Sequence, residues 1–282
     1  MNAAELLKER GLSPKKSWGQ NFLVDPNVQK KLAQLCEVGP EDRLVIEIGA
    51  GTGALTEMLV GSGAPVLAIE RDRDLAALLR DRFALTPGLS LIETNALDFD
   101  LAHAAAKAGG RVKLVGNLPY HLSAPILFMA LDARASLCSA HFLLQKEVAL
   151  RLCAGPREED YSLLSVLTQR VAKASLAAQV SRHCFFPKPQ VDSAFVSLRF
   201  LENPPGGALP DAFFTAFVKA AFSKRRKTLM NSLRQQGFLH LSDDALQALA
   251  ARFPERLKGR AEELSVAQFV EMAEVLWEKE KP

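Results

Sequence analysis

Short apolar runs alternate with amphipathic stretches through the first half of the chain. Each run spans at most five residues, which suits a buried strand, and each is followed by turn residues and then by positions with helical spacing. The predicted strands are residues 44–48, 66–69, 89–92, 113–115 and 140–144. Because strands that alternate with helices usually pair in parallel through crossover connections, the pattern predicts an α/β fold with a parallel sheet.

The pattern changes after the fifth predicted strand. Lys146–Cys153 has helical spacing, and two β-rich runs follow at 174–181 and Ser193–Phe200, separated by a proline-rich turn. These two runs are predicted to form an antiparallel hairpin at the edge of the parallel sheet. Residues 202–207 have the composition of a linker, and the remaining chain has helical periodicity, so we place a domain boundary at the linker.

Composition limits the class of protein. The chain has 282 residues, of which 48% are hydrophobic, so it can bury the core of one large domain with a smaller companion. Charged residues interrupt the first ten positions, and no run approaches the roughly 18 apolar residues of a membrane span, which predicts a cytoplasmic protein. The four cysteines lie far apart in the sequence, so we expect reduced thiols and no metal site.

A glycine-rich loop from Glu47 to Gly53 follows the first predicted strand. Gly49 and Gly51 lack side chains, so the backbone N–H groups of this loop can approach a ligand closely. The loop predicts a nucleotide-like cofactor, and Glu70, after the second predicted strand, is placed to bind ribose hydroxyls. The spacing also matches a dinucleotide-binding loop, but the pairing of Glu47 with Glu70 favours a methyltransferase.

A second motif, Asn117-Leu118-Pro119-Tyr120, follows the fourth predicted strand. An adenine amino group is a poor nucleophile because its lone pair is delocalised into the ring. The Asn117 side-chain oxygen and the Leu118 carbonyl are predicted to accept hydrogen bonds from its two N–H groups, which favours a pyramidal nitrogen aimed at a methyl donor. Pro119 restricts Leu118 to extended conformations, and Tyr120 offers a flat face on which a flipped base can stack.

Several motifs in this order resemble those of the ribosomal RNA adenine N6-dimethyltransferases. The resemblance covers residues 19–25, 47–53, 69–72, 117–120, 185–193 and 221–233. It implies a class I methyltransferase fold, which is Rossmann-like with a mostly parallel seven-stranded sheet, and a small C-terminal helical domain. Residues 222–227 and 264–269 resemble the bacterial branch that dimethylates two adjacent adenines in the 3′-terminal hairpin of 16S rRNA in the small ribosomal subunit.

The resemblance also implies a division of the chain. Residues 1–202 are expected to form the S-adenosylmethionine-binding catalytic domain, with a lid over about residues 1–40. Residues 208–282 are expected to form a helical domain that binds RNA. The implied partner is 16S rRNA in the small subunit, with a role in ribosome biogenesis, and we expect a monomer that contacts neither a membrane nor a metal.

Roles for individual cofactor-binding residues follow from the resemblance. The implied set is Gln20, Asn21, Leu23, Gly49, Gly51, Glu70, Asn95 and Asn117. The family usually has an Asp where this chain has Asn95. An amide oxygen can still accept a bond from the cofactor's adenine, so we expect cofactor binding to survive in weaker form. His121 stands where the family often has Asn, and we assign it no role.

A run of basic residues is the candidate RNA surface. No acidic residue lies between Asp211 and Asp243, whereas this stretch holds Lys219, Lys224, Arg225, Arg226, Lys227 and Arg234. A solvated helix face usually mixes both signs of charge, so the four consecutive residues 224–227, called the basic segment below, are predicted to bind phosphates. The alternative is an ordinary solvated face. Lys15 and Lys16 are further candidates for phosphate contacts.

Phe185, before the proline-rich turn, resembles the family's second aromatic residue at the target base, opposite Tyr120. A core position is the alternative for this side chain.

Three other functions remain open at this point. A 23S rRNA methyltransferase of the antibiotic-resistance type shares the catalytic motif but resembles the C-terminal region less. A nicotinamide-dependent oxidoreductase explains the glycine loop and Glu70, but leaves Asn117 and the basic segment unexplained. A non-enzymatic ribosome assembly factor explains the basic segment, but has no use for a complete cofactor loop.

Overall fold

The computed structural model describes residues 3–234 and 239–281. The chain divides into two compact units. The first comprises the described residues up to Ala149 together with Ser175–Phe200, and the second comprises Leu150–Ala174 together with the described residues from Leu201 onward. No helix in the described part of the chain is long and apolar enough to cross a membrane.

The strands form one large sheet and one short strand pair. In chain order they are β1 (Phe22–Leu23), β2 (Val45–Ile48), β3 (Val66–Glu70), β4 (Leu89–Glu93), β5 (Val112–Asn117), β6 (Leu137–Gln145), β7 (Ala172–Val180), β8 (Phe185–Phe186) and β9 (Ser193–Phe200). The large sheet has the order β4-β3-β2-β5-β6-β9-β7, and β1 pairs with β8 in antiparallel orientation. The first five strands of that order are mutually parallel, which confirms the predicted α/β fold with a mostly parallel seven-stranded sheet.

Helices connect and follow these strands. They are α1 (Ala3–Glu9), α2 (Pro26–Leu35), α3 (Ala54–Val60), α4 (Arg73–Arg82), α5 (Leu101–Lys107), α6 (Ser123–Asp132), α7 (Lys146–Cys153), α8 (Leu163–Val171), α9 (Asp211–Phe222), α10 (Leu229–Arg234), α11 (Asp243–Arg252), α12 (Pro254–Lys258) and α13 (Val266–Glu280). Local capping fixes several of their starts. Asp25 accepts from the backbone N–H groups of Asn27 and Val28 at the start of α2, and Ser265 forms a capping box with Gln268 at the start of α13.

The two runs predicted to form an edge hairpin are neighbours at one edge of the sheet, in an order that the sequence did not specify. The two runs, β7 and β9, are neighbours in the sheet, but β9 lies inside and pairs antiparallel with β6, while β7 forms the edge. The burial of the two strands accounts for this order. Seven of the eight residues of β9 are buried, as in a strand covered on both faces, whereas only three of the nine residues of β7 are buried.

The second unit has its own hydrophobic core. Phe214, Phe217 and Phe269 are fully buried in it, and Val166 of α8 packs in the same cluster. The predicted domain limits of 1–202 and 208–282 differ from these units, because residues 150–174 group with the C-terminal helices. Sequence order alone could not show that the apolar face of α8 joins a core built mainly from residues after 200.

The predicted linker is held in place within the second unit. The guanidinium of Arg170 is buried and donates to the carbonyl oxygens of Pro205 and Gly206 at 3.3 and 3.0 Å. It also bonds the carboxylate of Asp211 at 3.1 Å and lies 4.2 Å from the ring centre of Phe214. A buried cation of this kind is stable only when its donors are satisfied, and here the linker carbonyls satisfy them.

Candidate active site

A cavity of about 290 Å³ lies at the carboxyl ends of β2, β3, β4 and β5. Parallel sheets of this type bind ligands at that edge, because loops and helix starts converge there. The lid segment around β1 supplies one wall. The predicted site residues that line the cavity are Gln20, Asn21, Leu23, Gly49, Gly51, Glu70, Asn95, Asn117, Leu118, Pro119 and Tyr120.

The glycine loop is held by Glu70. The backbone N–H of Gly51 donates to one carboxylate oxygen and the backbone N–H of Asp72 donates to the other, both at 2.8 Å. Gly51 has a φ of 61°, and a Cβ there would lie 3.3 Å from the ring of Phe22, so this position favours glycine. Each Glu70 oxygen keeps a further lone pair, and a pair of ribose hydroxyls in the cavity can use them.

Burial dominates the chemistry of the two acidic residues at the cavity. Glu47 is 2% exposed, and desolvation raises the pKa of its carboxyl to about 7, although the Thr56 hydroxyl donates to it at 2.6 Å. Burial also raises the pKa of Glu70, against the opposing effect of the backbone N–H groups of Asp72, Gly51 and Arg71. The cavity floor is therefore poorly solvated, and a cofactor bound there meets strong electrostatic interactions.

The lid is fastened to the start of α4 by a polar network. The ammonium of Lys15 bonds the carboxylates of Asp72 and Asp74 at 2.7 and 2.8 Å. The side-chain amide of Gln20 donates to Asp72 at 2.8 Å and accepts from the backbone N–H of Lys15. Although burial opposes it, these bonds lower the pKa of Asp72. Trp18 completes the network, with the Arg71 guanidinium 4.8 Å from its ring centre.

This network corrects one expectation and qualifies another. Lys15 was a candidate for phosphate contacts, but its ammonium is occupied by two carboxylates. The side chain of Lys16, the other candidate, lies outside the described residues. Gln20, predicted to bind the cofactor, lines the cavity, and both ends of its side-chain amide are used to hold the lid.

Asn117 ends β5 with its side chain at the cavity wall. Its amide NH₂ donates to the backbone carbonyl of Asn21 at 3.0 Å, which leaves the side-chain oxygen available as an acceptor. Within the described residues, no donor bonds the carbonyl oxygen of Leu118, whose own N–H donates to the Leu143 carbonyl. The two residues predicted to supply acceptors, Asn117 and Leu118, thus both line the cavity.

Tyr120 is held by the first residue of β9, which pairs with the last residue of β6. Its phenolic oxygen lies 3.1 Å from the hydroxyl of Ser193, the first residue of β9, and burial raises its pKa. The ring stays in the cavity lining. The hydrogen bond fixes the orientation of the ring without using either of its faces, which is what a stacking surface needs.

Asn95 lies where the cofactor's adenine is expected. Its NH₂ donates to the carboxylate of Asp98 at 3.2 Å, and its side-chain oxygen accepts from the backbone N–H of Leu97 at 3.3 Å. The side-chain NH₂ of Asn95, a group that an Asp in this position would not have, is therefore satisfied by Asp98. The amide oxygen keeps one lone pair for an adenine amino group.

Phe185 and Phe186 have opposite environments. Phe185 is 5% exposed and packs in a hydrophobic cluster with Leu23, Leu143 and Phe195, and it is absent from the lining of the cavity. The structure thus gives this residue the core position that was its alternative. Phe186, its neighbour, is 40% exposed.

The basic segment is only partly available to a ligand. Arg225 donates to the backbone carbonyl of Glu159 at 3.0 Å and lies 3.5 Å from the carboxylate of Glu262. Arg226 and Lys227 are exposed and have no ion-pair partner within the part of the chain that the structure describes, while Lys224 is half-buried. Two of the four predicted phosphate contacts are therefore free cations.

Sequence reasoning overlooked three residues that shape the site. Asp72 anchors the lid, Trp18 packs beside it, and Ser193 orients Tyr120. Asp72 carried a usable signal, since it stands directly before the first residue of α4, where an N-cap is expected. Ser193 is the last residue of the motif at 185–193, but the sequence does not show its bond to Tyr120, because the two residues lie in distant segments.

Comparison with known proteins identifies the family to which the chain belongs. A family model described as "Ribosomal RNA adenine dimethylase" matches residues 11–278. The chain is 43% identical over 281 residues to the "Ribosomal RNA small subunit methyltransferase A" of Anaeromyxobacter sp. (strain K), and the match covers 96% of both chains.

Two solved structures have a similar fold. A dimethyladenosine transferase from Plasmodium falciparum has a TM-score of 0.78 at 22% identity, covering 92% of this chain and 98% of that one. The 23S rRNA methyltransferase ErmE has a TM-score of 0.68 at 24% identity, covering 90% and 99%. At these identities the structures establish the fold, while the family match and the 43% identity establish kinship. The chain belongs to the ribosomal RNA adenine dimethylase family.

Proposed function

We propose that the protein transfers methyl groups from S-adenosylmethionine to N6 of two adjacent adenines in the 3′-terminal hairpin of 16S rRNA in the small ribosomal subunit. One observation carries the proposal. The Asn117 side-chain oxygen and the Leu118 carbonyl stand as free acceptors at the edge of a cavity whose far wall offers Glu70 to a ribose. The 43% identity to a small-subunit methyltransferase supports the choice of subunit.

The residues of the cavity fit S-adenosylmethionine. Glu70 has lone pairs for the ribose hydroxyls, Asn95 has one for the adenine amino group, and the glycine loop leaves room for the backbone to approach the methionine part. When bound, the cofactor supplies a methyl group on a positively charged sulfur. The poorly solvated floor of the cavity keeps water away from that group.

Asn117 and Leu118 act on the target nitrogen. Each accepts a hydrogen bond from one of the two N–H groups of the adenine amino group. These hydrogen bonds favour a pyramidal nitrogen whose lone pair points toward the methyl group instead of into the ring. Because positive charge grows on the nitrogen as the new bond forms, both hydrogen bonds strengthen in the transition state. The leaving group is a neutral thioether, so no general base is required, and the product proton passes to water.

Tyr120 and the basic segment bind the RNA in this proposal. Tyr120 stacks against the flipped adenine, with its ring held by Ser193. Arg226 and Lys227 contact phosphates, since their side chains are exposed and unpaired within the described residues. The protein acts as a cytoplasmic monomer on the small subunit, and its binding couples methylation to ribosome biogenesis.

Methyl mapping tests the proposal. The protein is incubated with labelled S-adenosylmethionine and undermethylated small or large ribosomal subunits, and the label is located by nuclease digestion and mass spectrometry. We expect label on N6 of two adjacent adenines near the 3′ end of 16S rRNA. Label confined to large-subunit RNA would move the protein to the 23S branch, and absence of transfer would leave an assembly factor.

A further inference from the structure

We propose that Asp72 is a positioning residue for methyl transfer, because it docks the lid whose backbone orients the side-chain amide of Asn117. The inference deepens the proposed function and rests on it, since the oriented oxygen of Asn117 is the one that accepts from the target adenine. The lining of the cavity in the described part of the chain does not include Asp72. Its effect on the reaction therefore passes through the lid.

One hydrogen bond determines the orientation of the Asn117 amide. The side-chain NH₂ donates to the backbone carbonyl of Asn21 at 3.0 Å, and the amide makes no other hydrogen bond within the described residues. Turning the amide over would set its oxygen against the Asn21 carbonyl, and two acceptors in contact repel each other. The bond to the lid therefore assigns the NH₂ to Asn21 and leaves the oxygen for a donor in the cavity, which Asn117 lines.

The lid packs against the segment that follows β5. Gly19 has a φ of 61°, and a Cβ there would lie 3.2 Å from Nδ1 of His121 and 4.0 Å from the Cβ of Pro119. The side-chain NH₂ of Asn21 donates to the Gly19 carbonyl at 3.0 Å, which ties these two lid residues together. The position of the Asn21 carbonyl thus depends on how closely the lid docks.

Asp72 bonds the lid at Gln20, the residue before Asn21. Its carboxylate accepts from the side-chain amide of Gln20 at 2.8 Å and from the ammonium of Lys15 at 2.7 Å. The side-chain oxygen of Gln20 accepts in turn from the backbone N–H of Lys15 at 2.8 Å, so the three residues form a closed network. The side chain of Asp72 is 2% exposed, so water screens these bonds little.

Asp72 is itself fixed at the start of α4. Its side chain accepts from the backbone N–H of Asp74 at 3.1 Å, and its backbone N–H donates to the carboxylate of Glu70 at 2.8 Å. Glu70 ends β3 and Asn117 ends β5, with β2 between the two strands. The docked lid therefore connects two strand ends that are about 10 Å apart, as two strand spacings require.

The lid has a second attachment that does not depend on Asp72. β1 follows Asn21 directly and pairs with β8, and both of its residues, Phe22 and Leu23, are buried. Loss of the Asp72 anchor should therefore release residues 15–20 without unfolding the chain. The contribution of docking to the reaction can then be measured in a folded protein.

Substitution at both ends of the anchor tests the proposal in the full-length protein. Asp72→Ser keeps an N-cap of comparable quality at the start of α4, but the shorter, uncharged side chain no longer holds Lys15 and Gln20. Lys15→Met removes one bond of the network, and Lys15→Arg keeps the cation. Arg10→Met is the matched control, because Arg10 also bonds a carboxylate of α4, that of Asp81 at 2.7 Å, but precedes the docked residues.

Two measurements separate the orientation of the amide from its effect on the reaction. Nuclear magnetic resonance of protein with isotope-labelled asparagine, saturated with S-adenosylhomocysteine, reports the side-chain NH₂ of Asn117, which is assigned by its loss in Asn117→Ala. Single-turnover methylation of undermethylated small subunits, at saturating S-adenosylmethionine and varied subunit concentration, gives the rate at saturation and the half-saturating concentration.

We expect Asp72→Ser to shift the Asn117 resonances toward those of a solvent-exposed amide. The rate at saturation should fall by about tenfold or more, with the half-saturating subunit concentration within about twofold of wild type, because a displaced acceptor is missed mainly in the transition state. Lys15→Met should show smaller changes of the same kind. Lys15→Arg and Arg10→Met should match the wild type.

Unshifted Asn117 resonances in Asp72→Ser would overturn the proposal, and so would a wild-type rate at saturation or an equal loss in Arg10→Met. If the wild-type protein methylates no small subunits, the proposed function fails, and the resonances still decide whether Asp72 orients the amide of Asn117.

Discussion

The cavity and the basic segment use their charged side chains in opposite ways. The carboxylate of Glu70 accepts two backbone N–H groups and is thereby aimed at the cavity with lone pairs to spare. The guanidinium of Arg225 is also bonded within its own unit, to Glu159 and Glu262, but there the contacts engage two of the three nitrogens that a phosphate could use. Internal hydrogen bonds therefore orient the Glu70 carboxylate toward a ligand in the cavity, whereas in the basic segment they occupy N–H groups of Arg225.

The largest effect should come from removing the acceptor at Asn117. Asn117→Ala should lower kcat by about 100-fold or more, since the lost hydrogen bond is strongest in the transition state. Single-turnover kinetics at saturating S-adenosylmethionine and RNA measure this directly. The variant also loses the bond to the Asn21 carbonyl, so its thermal stability is the control. A near wild-type rate at saturation would make Asn117 a structural turn residue.

Glu70→Ala tests whether the aimed carboxylate binds the cofactor. It should cost on the order of 1–3 kcal/mol of binding free energy, because two acceptors for the ribose are lost together with the support of the Gly51 N–H. Calorimetry with S-adenosylhomocysteine provides the measurement. If the affinity is preserved, the ribose does not lie at the end of β3.

Desolvation of the cavity floor predicts a pH effect at Glu47. Burial raises the pKa of this carboxyl to about 7 from the usual value near 4.5, so its favourable contribution to stability is complete below about pH 4.5 and is lost as the pH rises through about 7. Glu47→Gln removes that dependence. Between about pH 5 and pH 8, the unfolding free energy of the variant should therefore rise relative to wild type by about 2 kcal/mol.

Urea denaturation at the two pH values measures the difference. Glu9→Gln serves as the control, because Glu9 is exposed. A difference between Glu47→Gln and wild type that stays constant with pH would mean that the cavity floor is well solvated.

The smallest effect should come from the basic segment, where Arg226 and Lys227 have no ion-pair partner within the described residues and Arg225 is bonded. Replacing Arg226 and Lys227 with Ala should weaken binding to the small subunit and reduce the slope of log affinity against log salt by up to about two units. Arg225→Ala should change the slope much less, since its guanidinium already bonds Glu262. Affinity for S-adenosylhomocysteine should stay constant in both. Equal slopes for the two variants would show that the bonds of Arg225 within its own unit do not prevent it from contacting RNA phosphates.

The fold and the cavity were largely predictable because their signals are local. Five apolar runs bounded by turn residues predicted the parallel strands; Glu70 directly follows one of them, and Asn117 lies two residues after another. The environments of Phe185 and Phe186 were not predictable in the same way. A two-residue strand carries no period of its own, so the register with Phe22 and Leu23 decides which ring is buried. In the same way, the pattern of charges along the chain could not show that Arg225 donates to the backbone carbonyl of Glu159, because the two residues lie far apart in the sequence.

The position of β9 constrains how the chain can be made. β6 is buried along nearly its whole length and pairs with β5 on one side, but its other neighbour is Ser193–Phe200. During synthesis, that second edge of β6 stays unpaired until all of residues 146–192 have been added. An open apolar edge is a template for pairing with another chain. Any fragment that contains β6 and ends before Ser193 should therefore aggregate, and we expect expression trials to find no soluble fragment whose C-terminal boundary lies inside this interval.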